Sequence, residues 1–215
     1  MKQSKIDPNK YDSYNSEIAV LVPPGSKVLD VGCNTGKLAQ ALKRKNCEVT
    51  GIDLDDKLLK IARKHCTKTV KADIEDRTKL KASLKRTNFD AIILGDVVEH
   101  LKRPGEMLVA LKPYLKDNGV IICSTPNSAF IWMRVRFLLG DFSYTENGGL
   151  MDIDHLRFFS FATTRELFES CGYKVMLVKP SSHGITNWKF FFLKALARIV
   201  PSLFAIHILI VAKKS

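Results

Sequence analysis

The chain has 215 residues, 46% of them hydrophobic and 26% charged, which suits one globular domain with a full core and excludes a disordered chain. No apolar run reaches the roughly 20 residues that cross a bilayer, and the polar opening MKQSKIDPNKYDSYNSE lacks the apolar centre of a signal peptide. Thirty-four basic residues against 22 acidic ones leave a formal charge of +12, much of it between Lys37 and Arg86. Such a run reads as solvated helix faces, or as a surface for nucleic acid, anionic lipid or an anionic substrate.

Short β-branched runs alternate with longer amphipathic ones. The predicted strands are Lys27–Val31, Glu48–Ile52, Thr69–Ala72, Phe89–Leu94, Val120–Ser124, Lys174–Val178 and about Phe204–Ala212. Helices are expected over Lys37–Lys45, Lys57–His65, Gly105–Leu115, Thr164–Cys171 and Asn187–Val200. Asp55 is placed to cap the second helix, Pro104 suits the first turn of the third, and Thr163 with Glu166 has capping-box spacing. Alternation of this kind implies right-handed βαβ crossovers, a mostly parallel sheet and an α/β doubly wound fold in a single domain over 1–215. The stretch from about 128 to 161 is too long for a simple connection and too apolar for a disordered one, and reads as a lid or insertion over the substrate site. Its Trp132, Phe137 and Tyr144 suit a lid core, or a stacking surface for a sugar or aromatic acceptor.

The chemistry concentrates in VLDVGCNTGKLAQAL, residues 28–42. An apolar run ends in Asp30, Gly32 and Gly36 follow four residues apart, and a helix begins at once. Glycines bend the backbone tightly and let a ligand approach, and the helix N-terminus points N–H groups at that ligand. A dinucleotide fingerprint would need glycines at 34 and 37, where Asn34 and Lys37 stand; a phosphate-gripping loop would need Ser or Thr at Leu38. Both phosphate readings fail on residues. An acid beside the turn suits a ligand with a cationic amine instead.

These residues resemble the first motif of class I S-adenosylmethionine-dependent methyltransferases, here Asp30-Val31-Gly32-Cys33-Asn34-Thr35-Gly36 with Asn34 replacing the middle glycine. Further blocks match in order: Gly51-Ile52-Asp53-Leu54, Ala72-Asp73-Ile74, and FDAIILGDVVEHL over 89–101. The segments STPN at 124–127 and DHLRFF at 154–159 are similar to a branch that includes glycan-cluster, MetW-like and UbiG-like methyltransferases. The resemblance implies a Rossmann-like sheet of seven strands, the last antiparallel and inserted between the fifth and sixth. It implies S-adenosylmethionine as cofactor and S-adenosylhomocysteine as product. The cofactor would lie against Asp30, Gly32, Cys33, Asn34, Gly36, Asp53, Leu54, Asp73, Ile74, Gly95, Asp96 and Val97, with Asp53 on the ribose and Asp96 near the methionine end.

The expected reaction is methylation, most readily at oxygen, of a small-molecule or glycan-type acceptor. A hydroxyl acceptor calls for a base that titrates near neutral pH. His155 and His100 are the candidates, each also readable as a structural histidine. Arg157 could pair with an anionic substrate group or with a loop acid, and His65, His183 and His207 are expected at the surface or in packing. The basic amphipathic stretch 187–200 could lie on a membrane surface, cover the sheet or form a dimer face. Five scattered cysteines without a CxxC pair predict neither a disulfide framework nor a metal centre, and fit a reducing cytoplasm. Two other functions fit the residues: an RNA methyltransferase, or a non-catalytic cofactor-binding partner of another enzyme.

Overall fold

The structure, a computed structural model, describes residues 14–85, 87–146, 148–181, 183 and 191–215. Seven strands form one sheet in the order β3-β2-β1-β4-β5-β7-β6. They are β1 (Lys27–Val31), β2 (Glu48–Asp53), β3 (Lys68–Lys71), β4 (Phe89–Gly95), β5 (Leu115–Pro126), β6 (Tyr173–Ser181) and β7 (His207–Lys214). The first five run parallel, and β7 lies antiparallel between β5 and β6. The expected topology is therefore present. Strand order reverses between β1 and β4, which opens a crevice at their carboxyl ends.

Side-chain alternation sorts the core onto the two faces of the sheet. Leu29 and Val31 of β1 with Ile92 and Leu94 of β4 join a cluster with Leu80, Met107, Phe168 and Tyr173. Val28 of β1 with Ala91 and Ile93 of β4 face the other way, onto Ile18, Leu38 and Leu42. The covering helices are α1 (Ser16–Leu21), α2 (Lys37–Lys43), α3 (Asp56–Ala62), α4 (Arg77–Leu84), α5 (Pro104–Leu111), α6 (Ile131–Leu138), α7 (Phe161–Ser170), α8 (Phe191–Ile199) and α9 (Pro201–Phe204).

Several expectations are corrected in detail. Helices α1 and α4 lack a readable apolar period, yet each is capped: Asn15 accepts the Glu17 N–H, and Asp76 accepts the Lys79 N–H. The capping box of α7 is Ser160 with Thr163, so this helix starts three residues before Thr164. β5 begins at Leu115, because Leu115 pairs with Phe89 across an irregularity in the β4 ladder. β7 begins at His207, because Pro201–Phe204 coils into α9 first. Lys45, counted above with the basic excess, donates its ammonium to the carbonyls of Ala19, Val20 and Val22 and so holds the end of α1.

The stretch 128–161 consists of α6 and a loop tied down by bridges Asn127↔Phe159 and Thr145↔Asp152. Phe159 joins the main core, but Trp132, Phe137 and Tyr144 do not form a lid core. Trp132 is 64% exposed and Tyr144 58% exposed, while Phe137 stacks on exposed Phe142 with ring centroids 5.0 Å apart. On α8, Leu193 and Ala197 are buried whereas Phe192 and Ile199 face outward. The first part of the predicted helix, 187–190, lies outside the described residues. No helix among the described residues is long and apolar enough to cross a membrane.

Candidate functional site

The turn after β1 is built from three left-handed residues, Gly32 (φ 68°), Asn34 (φ 48°) and Gly36 (φ 79°). Asn34 takes the place of a glycine because Asn tolerates this region better than most side chains. The two glycines answer to protein neighbours as well as to a ligand. A Cβ at Gly32 would fall 2.9 Å from Val97 Cγ2, and one at Gly36 would fall 3.0 Å from Ala62 Cα on α3. Gly36 lets α2 start against α3, and it lines neither of the cavities described below.

Asp53, at the end of β2, holds the turn in place. One carboxylate oxygen accepts the Asn34 N–H at 2.9 Å and the other accepts the Asp55 N–H at 3.0 Å. Sequence reasoning gave Asp53 a ligand-facing role only. Its second task, bracing the loop on the neighbouring strand, follows from the β1–β2 register, which pairs Val31 with Ile52.

Two adjoining cavities open along the carboxyl edge of the sheet. One, of about 230 Å³, is lined by Asp30, Gly32, Cys33, Asn34, Gly95, Asp96, His100, Ser124 and His183 among others. The other, of about 400 Å³, is lined by Asp53, Leu54, Asp73, Ile74, Asp96, Val97 and His100 among others. Gly32, Asn34, Asp96 and His100 line both. Of the expected cofactor-binding residues and the two candidate bases, Gly36 and His155 line neither, nor do Arg157, Trp132, Phe137 and Tyr144.

The electrostatics differ along this cleft. Asp30 is buried, and burial together with the nearby Asp53 charge pushes its carboxyl up to about 7. The Cys33 thiol is pushed far up by its hydrogen bond with Cys66 and by burial, so it is an unreactive wall of the turn. Asp73 folds back to accept the Glu75 N–H at 2.9 Å.

The loop after β4 places a denser group of ionisable side chains. Asp96 is left-handed (φ 53°), its N–H donates to the Ser124 carbonyl at 3.0 Å, and its Oδ1 accepts from Ser124 Oγ at 2.9 Å. A non-glycine residue in that conformation at a cleft edge is a common mark of a functional site. His183 and His207 each bring Nε2 to 3.9 Å from Asp96. Neither belonged among the expected site residues. They meet because β6 pairs with β7 at Ser181↔His207, a register that sequence spacing does not reveal.

Glu99 and His100 sit on a single 3-10 turn, Val98–His100. Glu99 is buried; burial and the Asp96 charge push its carboxyl well above the usual range. Its peptide carbonyl accepts the N–H groups of Leu156 and Arg157 at 2.8 and 3.0 Å, which pins the segment carrying His155 to this turn. The rings of His100 and His155 meet edge to face with centroids 4.8 Å apart. Burial holds the His155 ring below its ordinary value and so favours the neutral form. Arg157 is a loop anchor: its guanidinium donates to the Lys102 carbonyl at 2.6 Å, and it lines neither cavity.

A family model described as "Methyltransferase domain" matches residues 9–178. The ubiquinone biosynthesis O-methyltransferase of Pasteurella multocida is 35% identical over 114 residues, 48% of this chain and 47% of that protein. That of Xanthomonas campestris pv. campestris (strain B100) is 34% identical over 128 residues, 57% of this chain and 51% of that protein. The matches to these curated relatives thus span about half of their length. Among solved structures, a SAM-dependent methyltransferase from Archaeoglobus fulgidus superposes with a TM-score of 0.67 at 18% identity, over 97% of this chain and 95% of that one. The magnesium protoporphyrin IX methyltransferase of Synechocystis PCC 6803, with bound SAH, gives 0.65 at 14% identity, over 99% and 90%. At such identities the likeness carries the fold, which is that of the SAM-dependent methyltransferases. With most of its length matched by the family model and its sheet ordered in that way, the chain belongs to the methyltransferase-domain family.

Proposed function

We propose that this protein binds S-adenosylmethionine along the carboxyl edge of β1, β2 and β4 and transfers its methyl group to an oxygen of a small-molecule acceptor. The observation that carries this reading is the pair of cavities sharing Gly32, Asn34, Asp96 and His100, with an acid at each end of the cleft. The larger cavity suits an adenosine, with Asp53 beside the ribose hydroxyls and Leu54, Asp73, Ile74 and Val97 around the base. The smaller one suits the amino-acid tail, with Asp30 facing its ammonium and Gly95 and Asp96 closing the methionine end. The likeness to ubiquinone biosynthesis O-methyltransferases supports oxygen as the acceptor atom.

In the transfer, an acceptor oxygen attacks the methyl carbon in line with the sulfur. The carbon–sulfur bond breaks, its electron pair neutralises the sulfonium, and the acceptor's proton has to leave. The protein's main contribution is alignment. The proton is drawn off at the corner formed by Glu99, His100 and His155, beside the shared wall of the two cavities. Calorimetry with S-adenosylhomocysteine tests the cofactor half: one molecule bound per chain is expected, and no heat, or uptake of a nicotinamide dinucleotide in its place, defeats the reading. His155→Ala is expected to keep that affinity within threefold while turnover on a phenolic acceptor falls by about 100-fold or more. Unchanged turnover would remove the histidine corner from the reaction and favour a non-catalytic cofactor-binding role.

The exposed apolar residues of 128–161 (Trp132, Leu138, Leu139, Phe142 and Tyr144) favour an acceptor presented at a lipid surface over a glycan or an RNA. Flotation with anionic vesicles is expected to carry the protein at low salt, and Trp132→Ser with Leu138→Ser is expected to abolish it. Flotation unaffected by that pair would assign the surface to another partner.

A further inference from the structure

We propose that the cavity between α1, β6 and α8 is a phosphate-binding site, and that it holds the phosphate group of a phosphorylated methyl acceptor beside the cofactor cleft. The cavity measures about 420 Å³ and shares no lining residue with the two cavities of the cleft.

Its charge selects the ligand. Lys179, Lys194 and Arg198 line it together with one acid, Glu17. The sequence shows why acids are scarce there: after Glu169 the chain has no further Asp or Glu, so the cations of β6 and α8 meet acids only from earlier elements. Glu17, on α1, accepts from Lys179 Nζ at 2.7 Å through Oε2 and from Ser181 Oγ at 3.0 Å through Oε1. One carboxylate against three cations leaves the lining with a net charge of +2. A phosphomonoester carries up to about −2 at neutral pH.

The helix supplies a second indication. Lys194 and Arg198 stand four residues apart on α8, a spacing that puts two side chains on one face, where like charges repel. Leu193 and Ala197, each just before one of these cations, are buried and seat the helix with the basic pair at the cavity. An anion shared by the pair removes the repulsion. A phosphate offers three oxygens to the three cationic groups, where a carboxylate offers two. Pro180, Ala197 and Ala205 give the same cavity apolar walls, which suit an organic body attached to the phosphate.

The cavity adjoins the cofactor cleft through one hydrogen-bonded wall. β6 runs parallel to β5, both being antiparallel to β7, so Ser181 at the end of β6 lies on the carboxyl edge of the sheet. Its buried hydroxyl accepts from Asn15 Nδ2 at 3.1 Å and from the His183 N–H at 3.2 Å, and donates to Glu17. Asn15 and His183 line the smaller cavity of the cleft, and Glu17 and Ser181 line the basic one. An acceptor anchored here by its phosphate is therefore held next to the methionine end. The anion site stands on its own residues; only its role as an acceptor subsite rests on the proposed methyl transfer.

The test uses the full chain and two probes: phenyl phosphate, followed by calorimetry, and vesicles containing phosphatidic acid, followed by flotation. S-adenosylhomocysteine is titrated in parallel. One phenyl phosphate per chain is expected, bound equally well with S-adenosylhomocysteine present. Lys194→Gln and Arg198→Gln are each expected to weaken it by about 10-fold and the pair by about 100-fold. Lys174→Gln, exposed at the other end of β6, should leave it unchanged. Uptake of phenyl phosphate assigns the site to a soluble acceptor; uptake of the vesicles alone, lost in the paired variant, assigns the same phosphate chemistry to a lipid-borne one. The proposal is overturned if neither probe binds, if benzoate binds as tightly as phenyl phosphate, or if Lys174→Gln weakens binding as much as the α8 variants. Competition between phenyl phosphate and S-adenosylhomocysteine would also overturn it, by placing the phosphate in the cofactor cleft. Phosphate uptake without S-adenosylhomocysteine binding would leave the anion site standing and defeat the cofactor reading; the reverse result would defeat the anion site alone.

Discussion

Asp30→Asn is expected to weaken S-adenosylhomocysteine binding by about 30- to 1000-fold and to remove its pH dependence. The loss follows from deleting one partner of a buried charge pair, which costs about 2–4 kcal/mol. In the empty protein, burial and then Asp53 push the Asp30 carboxyl up to about 7. The folded protein therefore binds this proton more tightly than the unfolded chain, whose Asp titrates near 3.8. Its stabilising effect is fully present below that lower value and is lost as pH rises towards and through about 7, a span of roughly 4 kcal/mol at the order-of-magnitude level. A cationic ammonium in the smaller cavity reverses the preference and drives the proton off. Cofactor affinity should accordingly fall by about tenfold per pH unit below 7. Calorimetry in two buffers of different ionisation enthalpy should detect up to one proton released per cofactor bound below that pH. A wild-type affinity flat from pH 5.5 to 8, with no proton release, would show that Asp30 does not face the amine. The empty Asp30→Asn protein should also lose the wild-type decline in stability between pH 4 and 7.

Gly36→Ala is expected to cost about 2–4 kcal/mol of stability and to lower the melting temperature by roughly 5–15 °C. The residue is left-handed (φ 79°), and the added methyl would meet the backbone of α3, with Ala62 Cα at 3.0 Å and its carbonyl oxygen at 3.3 Å. Neither can turn aside as a flexible side chain could. Gly140→Ala is the control: it is also left-handed (φ 79°), but nothing lies within 4 Å of the added atom. It should show the strain alone, about 1–2 kcal/mol. Equal losses in the two variants, read by thermal denaturation, would mean that the α2–α3 contact yields and that conformation alone requires the glycine. Because Gly36 touches neither cavity, the S-adenosylhomocysteine affinity of whatever folded protein remains should stay within about threefold of the wild type.

The sheet was legible where period and punctuation agree. β1, apolar apart from Lys27 and Asp30, is predicted at its observed bounds, and β2 and β4 each extend one residue further than predicted. Helix α3 was legible through Asp55, which accepts the Lys57 and Leu58 N–H groups as its position suggests. What escaped was held by contacts distant in sequence. Helix α4 buries only Leu80 and Leu84 among lysines and polar residues, too sparse a stripe to read. The aromatic side chains of 128–161 have the composition of a core, yet Trp132 and Tyr144 are exposed, because composition does not say whether another element covers them.

The order of motifs along the chain (an acid before a glycine turn, then acids at the ends of β2 and β3) determined the family and the line of the cleft, since each motif is local and its strand period fixes which end of the sheet it reaches. Only the tertiary structure decided which side chains meet beside Asp96 and Glu99. Asp96 meets His183 and His207 through the β6–β7 register, and Glu99 meets His155 through two backbone hydrogen bonds across more than fifty residues. Such meetings depend on strand register and chain closure, which the periodicity of a single segment does not encode.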